Sequence, residues 1–249
     1  MGALAMAPAV VLRTAVCMTG RFPALAGVDL VVDQGEVVVL EGPNGAGKTS
    51  LLRLCAGLLA PSAGAVTVLG CRLPAQRAAL RRRVGVLGHA AALYDDLTVA
   101  ENMRFGVRAA GGDPGTVDAA LERLELGGRI PRTAVGRLSA GQRRRVALAL
   151  LVARWPELWL LDEPHAGLDR DARAILDSLV SEAAAAGVTV VMASHEPEQS
   201  LPLADRLVSM AGGRVVGVRA LHHGGPHVVE GGAGSDGPTP VASGGAHVA

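Results

Sequence analysis

Aromatic side chains are nearly absent, with two Phe, two Trp and one Tyr in 249 residues. A protein that binds single strands by stacking bases has almost no platform here. Charge offers nothing in compensation, since 24 Lys and Arg stand against 23 Asp and Glu for a net charge of +1. Both deficits argue against nucleic acid as a main partner. The three cysteines, Cys17, Cys55 and Cys71, are odd in number and form no CxxC pair. That excludes a disulfide framework and a zinc site, and suits core positions in a reducing cytosol. No run of ~20 apolar residues occurs, so no membrane span is expected. The apolar start, residues 1–12, lacks a basic flank and does not read as a signal peptide, and residues 1–10 read as a loose tail. What is abundant is aliphatic: 49% of the chain is hydrophobic, with arginines breaking up the longer runs. This length and composition suit one sizeable α/β domain with a large core.

The stretch Gly42-Pro43-Asn44-Gly45-Ala46-Gly47-Lys48-Thr49 matches G-x-x-x-x-G-K-[ST] at every position. Before it, Val37-Val38-Val39-Leu40 reads as a strand buried on both faces, and from Ser50 to Leu59 the chain reads as a helix. Opened by Gly42, such a loop curls so that backbone N–H groups at Asn44, Gly45, Ala46 and Gly47 point inward at phosphate oxygens. The helix start at Thr49 and Ser50 adds partial positive charge. Lys48 would reach the β- and γ-phosphates, and the Thr49 hydroxyl would hold Mg²⁺. A nucleoside triphosphate is the ligand this pattern implies.

Around this loop the chain reads as alternating strands and helices. An edge strand is expected over 12–18, and strands over 28–32, 66–69 and 84–87, with a short basic helix over 72–83. Residues 90–154 read as helical and free of strands, a helical subdomain inserted into the core. Strands return at 158–161 and 188–192 around a helix over 171–186, which argues a mostly parallel sheet with crossover helices. Segments 207–210 and 215–218, joined through Gly212-Gly213, read as a closing hairpin. The domain is expected to span 1–221. From 222 to 249 the Gly-rich tail, with His222-His223 and His227, reads as disordered.

Two further motifs narrow the chemistry. Leu158-Trp159-Leu160-Leu161 ends in Asp162, suited to Mg²⁺, and Glu163, placed where a base orients an attacking water. Leu138-Ser139-Ala140-Gly141-Gln142 opens a helix whose N-terminus presents a Ser hydroxyl and a Gly N–H to anionic oxygens. This last stretch resembles the signature sequence of ATP-binding cassette (ABC) ATPases, and together with the phosphate loop it is highly specific. Ala166-Gly167-Leu168-Asp169 is similar to that family's D-loop, and Ala193-Ser194-His195-Glu196 to its H-loop. The resemblance covers about residues 12–218. It implies a P-loop NTPase core with a mostly parallel sheet, a small antiparallel β subdomain and the helical insert. It also implies ATP and Mg²⁺ as ligands, Glu163 as the catalytic base and His195 as a γ-phosphate contact. Ser139, Gly141 and Gln142 would complete the site of a second cassette in a head-to-tail dimer.

Two positions depart from the family pattern. His89 occupies the Q-loop glutamine position, where it can still meet a metal-bound water but adds a group that titrates near neutrality. The adenine-stacking aromatic falls near Thr19, with Phe22 as a nearby substitute. The wording of 41–54, Leu87-Gly88-His89, 138–148 and 158–164 resembles the ATP-binding subunits of haem exporters of cytochrome c biogenesis, in which His at the Q-loop position is shared. The implied protein is a transport ATPase peripheral to the cytoplasmic face of the membrane, docked through residues 89–108 onto integral-membrane subunits. A drug- or lipid-exporting ATPase is the nearest rival, and a soluble ABC protein acting on ribosomes or DNA is a rival of another class.

Overall fold

Along β3 (Val37–Glu41) the first four residues are buried, yet neighbours face different compartments. Val38 and Leu40 join one apolar cluster, Val37 and Val39 another. The same alternation holds in β7 (Leu158–Asp162) and β8 (Thr189–Ala193), as a strand's period of two requires. Such strands belong in the middle of a sheet covered on both faces. The computed structural model describes residues 7–88 and 92–221. In it, β3, β7 and β8 are joined by β6 (Val84–Leu87), β9 (Arg206–Ala211) and β10 (Arg214–Ala220) in the order β10-β9-β3-β8-β7-β6. All neighbours run parallel except β10, which returns antiparallel beside β9 as the expected hairpin.

One face of this sheet is covered by α1 (Lys48–Cys55) and by a second, antiparallel sheet of order β2-β1-β4-β5. Its strands are β1 (Val10–Thr19), β2 (Phe22–Val32), β4 (Ala63–Val68) and β5 (Cys71–Leu73). The other face is covered by α6 (Arg170–Ala185) and by the insert between β6 and β7. The insert carries α3 (Val99–Ala109), α4 (Val117–Arg123) and α5 (Ala140–Arg154). Its only β pairing among the described residues is an isolated bridge, Thr98 to Ala134. Cys17, Cys55 and Cys71 are buried free thiols, and burial beside Cys17 pushes Cys55 up to about 12. No helix among the described residues is long and apolar enough to cross a membrane.

Four sequence expectations need correction, the first being the helix expected to reach Leu59, which ends at Cys55 shortly before Gly57 at φ 67°. β1 is not an edge strand: it lies between β2 and β4, paired on both sides. The helix expected from residue 72 starts only at Arg77, as α2 (Arg77–Arg83), because Cys71–Leu73 pairs with β4 instead. Pro74 enforces this, since the residue before a proline is pushed out of helical geometry. Strand β2 is also longer than the expected 28–32, reaching back to Phe22 through irregular pairing with β1. The Gly-rich tail, 222–249, lies outside the described residues, as does His89.

Trp159 is the largest side chain buried completely among the described residues. It meets Trp155 edge-to-face at 5.5 Å, and its Nε1 donates to the Pro156 carbonyl at 3.1 Å. Trp159→Ala is expected to cost about 3–5 kcal/mol, from lost burial plus the cavity left behind. Urea unfolding followed by circular dichroism measures this, and a loss below about 1 kcal/mol would contradict the packing described.

Candidate functional site

The loop between β3 and α1 is shaped by contacts that leave no room for a side chain. Gly42 sits at φ 139°, and a Cβ there would lie 2.2 Å from the Met210 carbonyl oxygen. Gly47, at φ 105°, would place a Cβ 2.9 Å from the Ala24 carbonyl. The β2 backbone and the β9 end therefore mould the loop from behind. Helix α1 starts without a side-chain cap, unlike α3, α5 and α6, whose caps are Thr98, Ser139 and Asp169. Its first N–H groups are left for a ligand at the mouth of the loop. Lys48 is buried and lies across the loop, its Nζ donating to the carbonyls of Gly42 at 2.5 Å and Pro43 at 3.3 Å.

Across the cleft, the end of β7 delivers Asp162, with Glu163 next in the chain. The Thr49 hydroxyl donates to Asp162 Oδ2 at 2.9 Å, so two of the three residues expected at the metal already touch, the third, His89, lying outside the described residues. A hydroxyl and a carboxylate are the hard oxygen donors that suit Mg²⁺, and the loop's N–H groups and Lys48 suit phosphate. Asn44, Gly45, Ala46, Gly47, Lys48, Thr49, Ser50, Asp162 and Glu163 all line one cleft of about 310 Å³. Gly42 acts from behind through its carbonyl. Ala24 of β2 also lines the cleft, a residue the sequence did not single out. Phe22, two residues earlier at the start of β2, is 80% exposed and lies opposite Thr19 in the hairpin.

Glu163 stands just past β7 with φ 47°, a left-handed conformation that costs a non-glycine residue on the order of 1 kcal/mol or more. Its N–H donates to the Ala193 carbonyl at 2.9 Å. Its Oε2 lies 2.8 Å from His195 Nδ1, so His195 meets the Glu163 carboxylate in this structure. Behind the pair is a smaller polar cavity of about 210 Å³ that also takes in His165, Arg173 and Ser194. His165 is buried, with Nε2 2.8 Å from Asp177 Oδ1 on α6.

Ser139, Gly141 and Gln142 do not line either cavity. Ser139 Oγ accepts from the Gln142 N–H at 3.2 Å, while Gln142 Oε1 accepts from the Ser139 N–H at 3.0 Å. This reciprocal cap starts α5, and a Cβ on Gly141 would lie 3.5 Å from the Gly167 carbonyl of the adjoining loop. Sequence reasoning also passes over Arg144, which is buried and donates to the carbonyls of Gly88, Asp162 and Glu163. In the sequence it looks like one of three arginines in a polar helix start. The turn of a helix by 100° per residue is the available signal, because three consecutive residues cannot share one solvent face.

The sequence model of the ABC transporter family matches residues 25–166. The chain belongs to the ABC transporter family. Within it, the cassette is 40% identical over 203 residues to the sulfate/thiosulfate import ATP-binding protein CysA of Brucella melitensis biotype 1, covering 78% of this chain and 56% of that protein. It is 40% identical over 178 residues to the cytochrome c biogenesis ATP-binding export protein CcmA of Cupriavidus pinatubonensis, covering 71% of this chain and 78% of that protein. The cassette thus spans little more than half the length of the sulfate-import relative. Among solved structures, it superposes with a TM-score of 0.76 on a dimeric post-hydrolysis state of the ATP-binding cassette MJ0796 bound to ADP and Pi. That match has 25% identity and covers 86% of this chain and 99% of the other. The parallel core, antiparallel subdomain and helical insert are therefore the ABC ATPase fold.

Proposed function

We propose that this chain hydrolyses ATP as the motor subunit of an ABC transporter, and that the transporter exports haem for cytochrome c biogenesis. The observation that carries the ATPase reading is the Thr49–Asp162 contact, in one cleft with Lys48 and Glu163. Bound Mg²⁺ would neutralise charge developing between the β- and γ-phosphates. The loop N–H groups and Lys48 hold the phosphates in place. Glu163 orients the attacking water and accepts its proton on a carboxylate oxygen, and His195 steadies that carboxylate. Ser139 and Gly141 of a second copy close the site from the opposite side. That assignment is supported by the absence of both from this chain's own cleft. The dimeric solved neighbour points the same way.

On α3, Phe105 forms an edge-to-face pair with Tyr94, centroids 5.3 Å apart, and both are about half exposed. With Leu97 and Ala109 they favour residues 89–108 as the surface that meets membrane subunits at the cytoplasmic face. Haem export is supported by the wording of 41–54 and 138–148, by His89, and by the cytochrome c biogenesis relative. A second reading, import of sulfate or ferric iron, is favoured by relatives so named at 38–42% identity. Purification of the tagged cassette from detergent-solubilised native membranes, followed by mass spectrometry, separates the two. Haem-handling membrane subunits are the expected result. Importer permeases, or drug- or lipid-exporter permeases, would overturn haem export, and ribosomal proteins would overturn the membrane reading.

A further inference from the structure

We infer that Arg144 is a positioning residue through which the helical insert fixes the backbone of the catalytic carboxylate. The inference rests on the hydrolytic role of Glu163 proposed above. Arg144 lies early in α5 and is 8% exposed. One terminal nitrogen donates to the Gly88 carbonyl; the other donates to the carbonyls of Asp162, at 3.0 Å, and Glu163, at 2.7 Å. A buried guanidinium normally pairs with a carboxylate, because an isolated buried charge is costly. Here the hydrogen-bond partners are main-chain oxygens, and the Nε has none among the described residues. Burial pulls this guanidinium down from its ordinary value, opposed by the nearby Asp162 and Glu163 charges.

Carbonyl partners have a consequence that a carboxylate partner would not. Side-chain pairing leaves a backbone free to shift, whereas a donor on the carbonyl fixes the peptide itself. Glu163 is the residue that needs fixing, with φ at 47°. Its peptide groups are pinned from both sides, the N–H by Ala193 of β8 and the C=O by Arg144 of α5. The third carbonyl belongs to Gly88, the last described residue before His89. Arg144 therefore ties the start of α5 to the ends of β6 and β7 at once. Its neighbours bind elsewhere: Arg143 reaches Asp95 at 2.6 Å, and Arg145 reaches Asp169 at 2.9 Å and Glu125 at 3.0 Å. Each of these is a side-chain ion pair with an exposed partner, where little energy and no backbone restraint is expected. Only the middle arginine of the three grips main chain beside the carboxylates.

Arg144→Ala is expected to lower kcat by about 10- to 100-fold while the Kd for ATP changes less than about threefold, the pattern for lost charge-assisted hydrogen bonds that orient a reacting group. Arg144→Lys, a point charge unable to reach three carbonyls together, should recover only part of the rate. Independently of activity, hydrogen exchange in peptides spanning 160–168 should quicken in Arg144→Ala, with protection across 42–50 unchanged. Unchanged exchange at 160–168 overturns the inference, as does a loss of kcat matched by an equal loss of ATP-binding sites, or full rescue by Arg144→Lys. If the alanine variant does not fold, Arg144→Gln, with a shorter amide donor, takes its place under the same readouts. A wild-type protein without ATP turnover would defeat the hydrolytic role of Glu163, while the exchange result would still decide whether Arg144 holds this backbone.

Discussion

Glu163→Gln is expected to lower ATP turnover by about 10²- to 10⁴-fold, the usual worth of a positioned general base, with ATP affinity within about threefold of wild type. The change keeps the side chain's size and its reach to His195, whose Nδ1 now lies 2.8 Å from Glu163 Oε2. It removes only the carboxylate proposed to accept a proton from water. Lys48, the loop and the Thr49–Asp162 pair stay in place, so binding persists. The same variant with Mg-ATP should accumulate as a dimer in sedimentation, because two nucleotides are held between copies and never cleaved. Ser139→Arg should abolish that dimer by putting bulk and charge at the α5 start, which is already committed to the Ser139–Gln142 cap. Wild-type turnover in Glu163→Gln would remove Glu163 from the base role. A dimer indifferent to Ser139→Arg would remove Ser139 from the interface.

Lys48→Ala is expected to raise the Kd for ATP by about 10- to 100-fold, since a hydrogen bond to a charged group is worth roughly 1.5–3 kcal/mol. Lys48 is only 7% exposed, and its ammonium rests on the Gly42 and Pro43 carbonyls. The loop it crosses borders the open cleft, so water can replace the lost donor and the fold should survive. Ligand-linked melting reads this directly, since a ligand that binds only the folded state stabilises it by RT ln(1 + [L]/Kd). Mg-ATP at about five times the wild-type Kd should raise the melting temperature of wild type and leave that of Lys48→Ala nearly unmoved. Equal shifts in both proteins would mean that Lys48 does not face the phosphates.

The phosphate loop, the two carboxylates and the parallel core are legible because each is written in consecutive residues. A buried apolar strand ending in Asp162-Glu163 needs no distant information. β1 reads wrongly as an edge because an edge strand and an inner strand of a half-exposed sheet share one alternating pattern, and only partners distinguish them. α2 reads too long because Arg72 looks like its helical neighbours, while its partner Thr67 in β4 is no part of that pattern. The carbonyl grip of Arg144 is invisible for a deeper reason. Main-chain oxygens carry no sequence identity, so nothing in Gly88, Asp162 or Glu163 announces an arginine. Ser139 and Gly141 illustrate the opposite case, in which the motif is plain while the ligand-facing role proposed for it would need a second chain.

The alternation along β3, β7 and β8 bears on how substitutions combine. Leu160 and Leu161 are adjacent in the chain but pack into separate apolar compartments on opposite faces of the sheet. Substitutions at such neighbours share few partners, so their effects on stability should come close to adding. A substitution on the face covered by the insert and α6 can therefore be absorbed with little effect on the face covered by α1 and the antiparallel sheet, and the reverse.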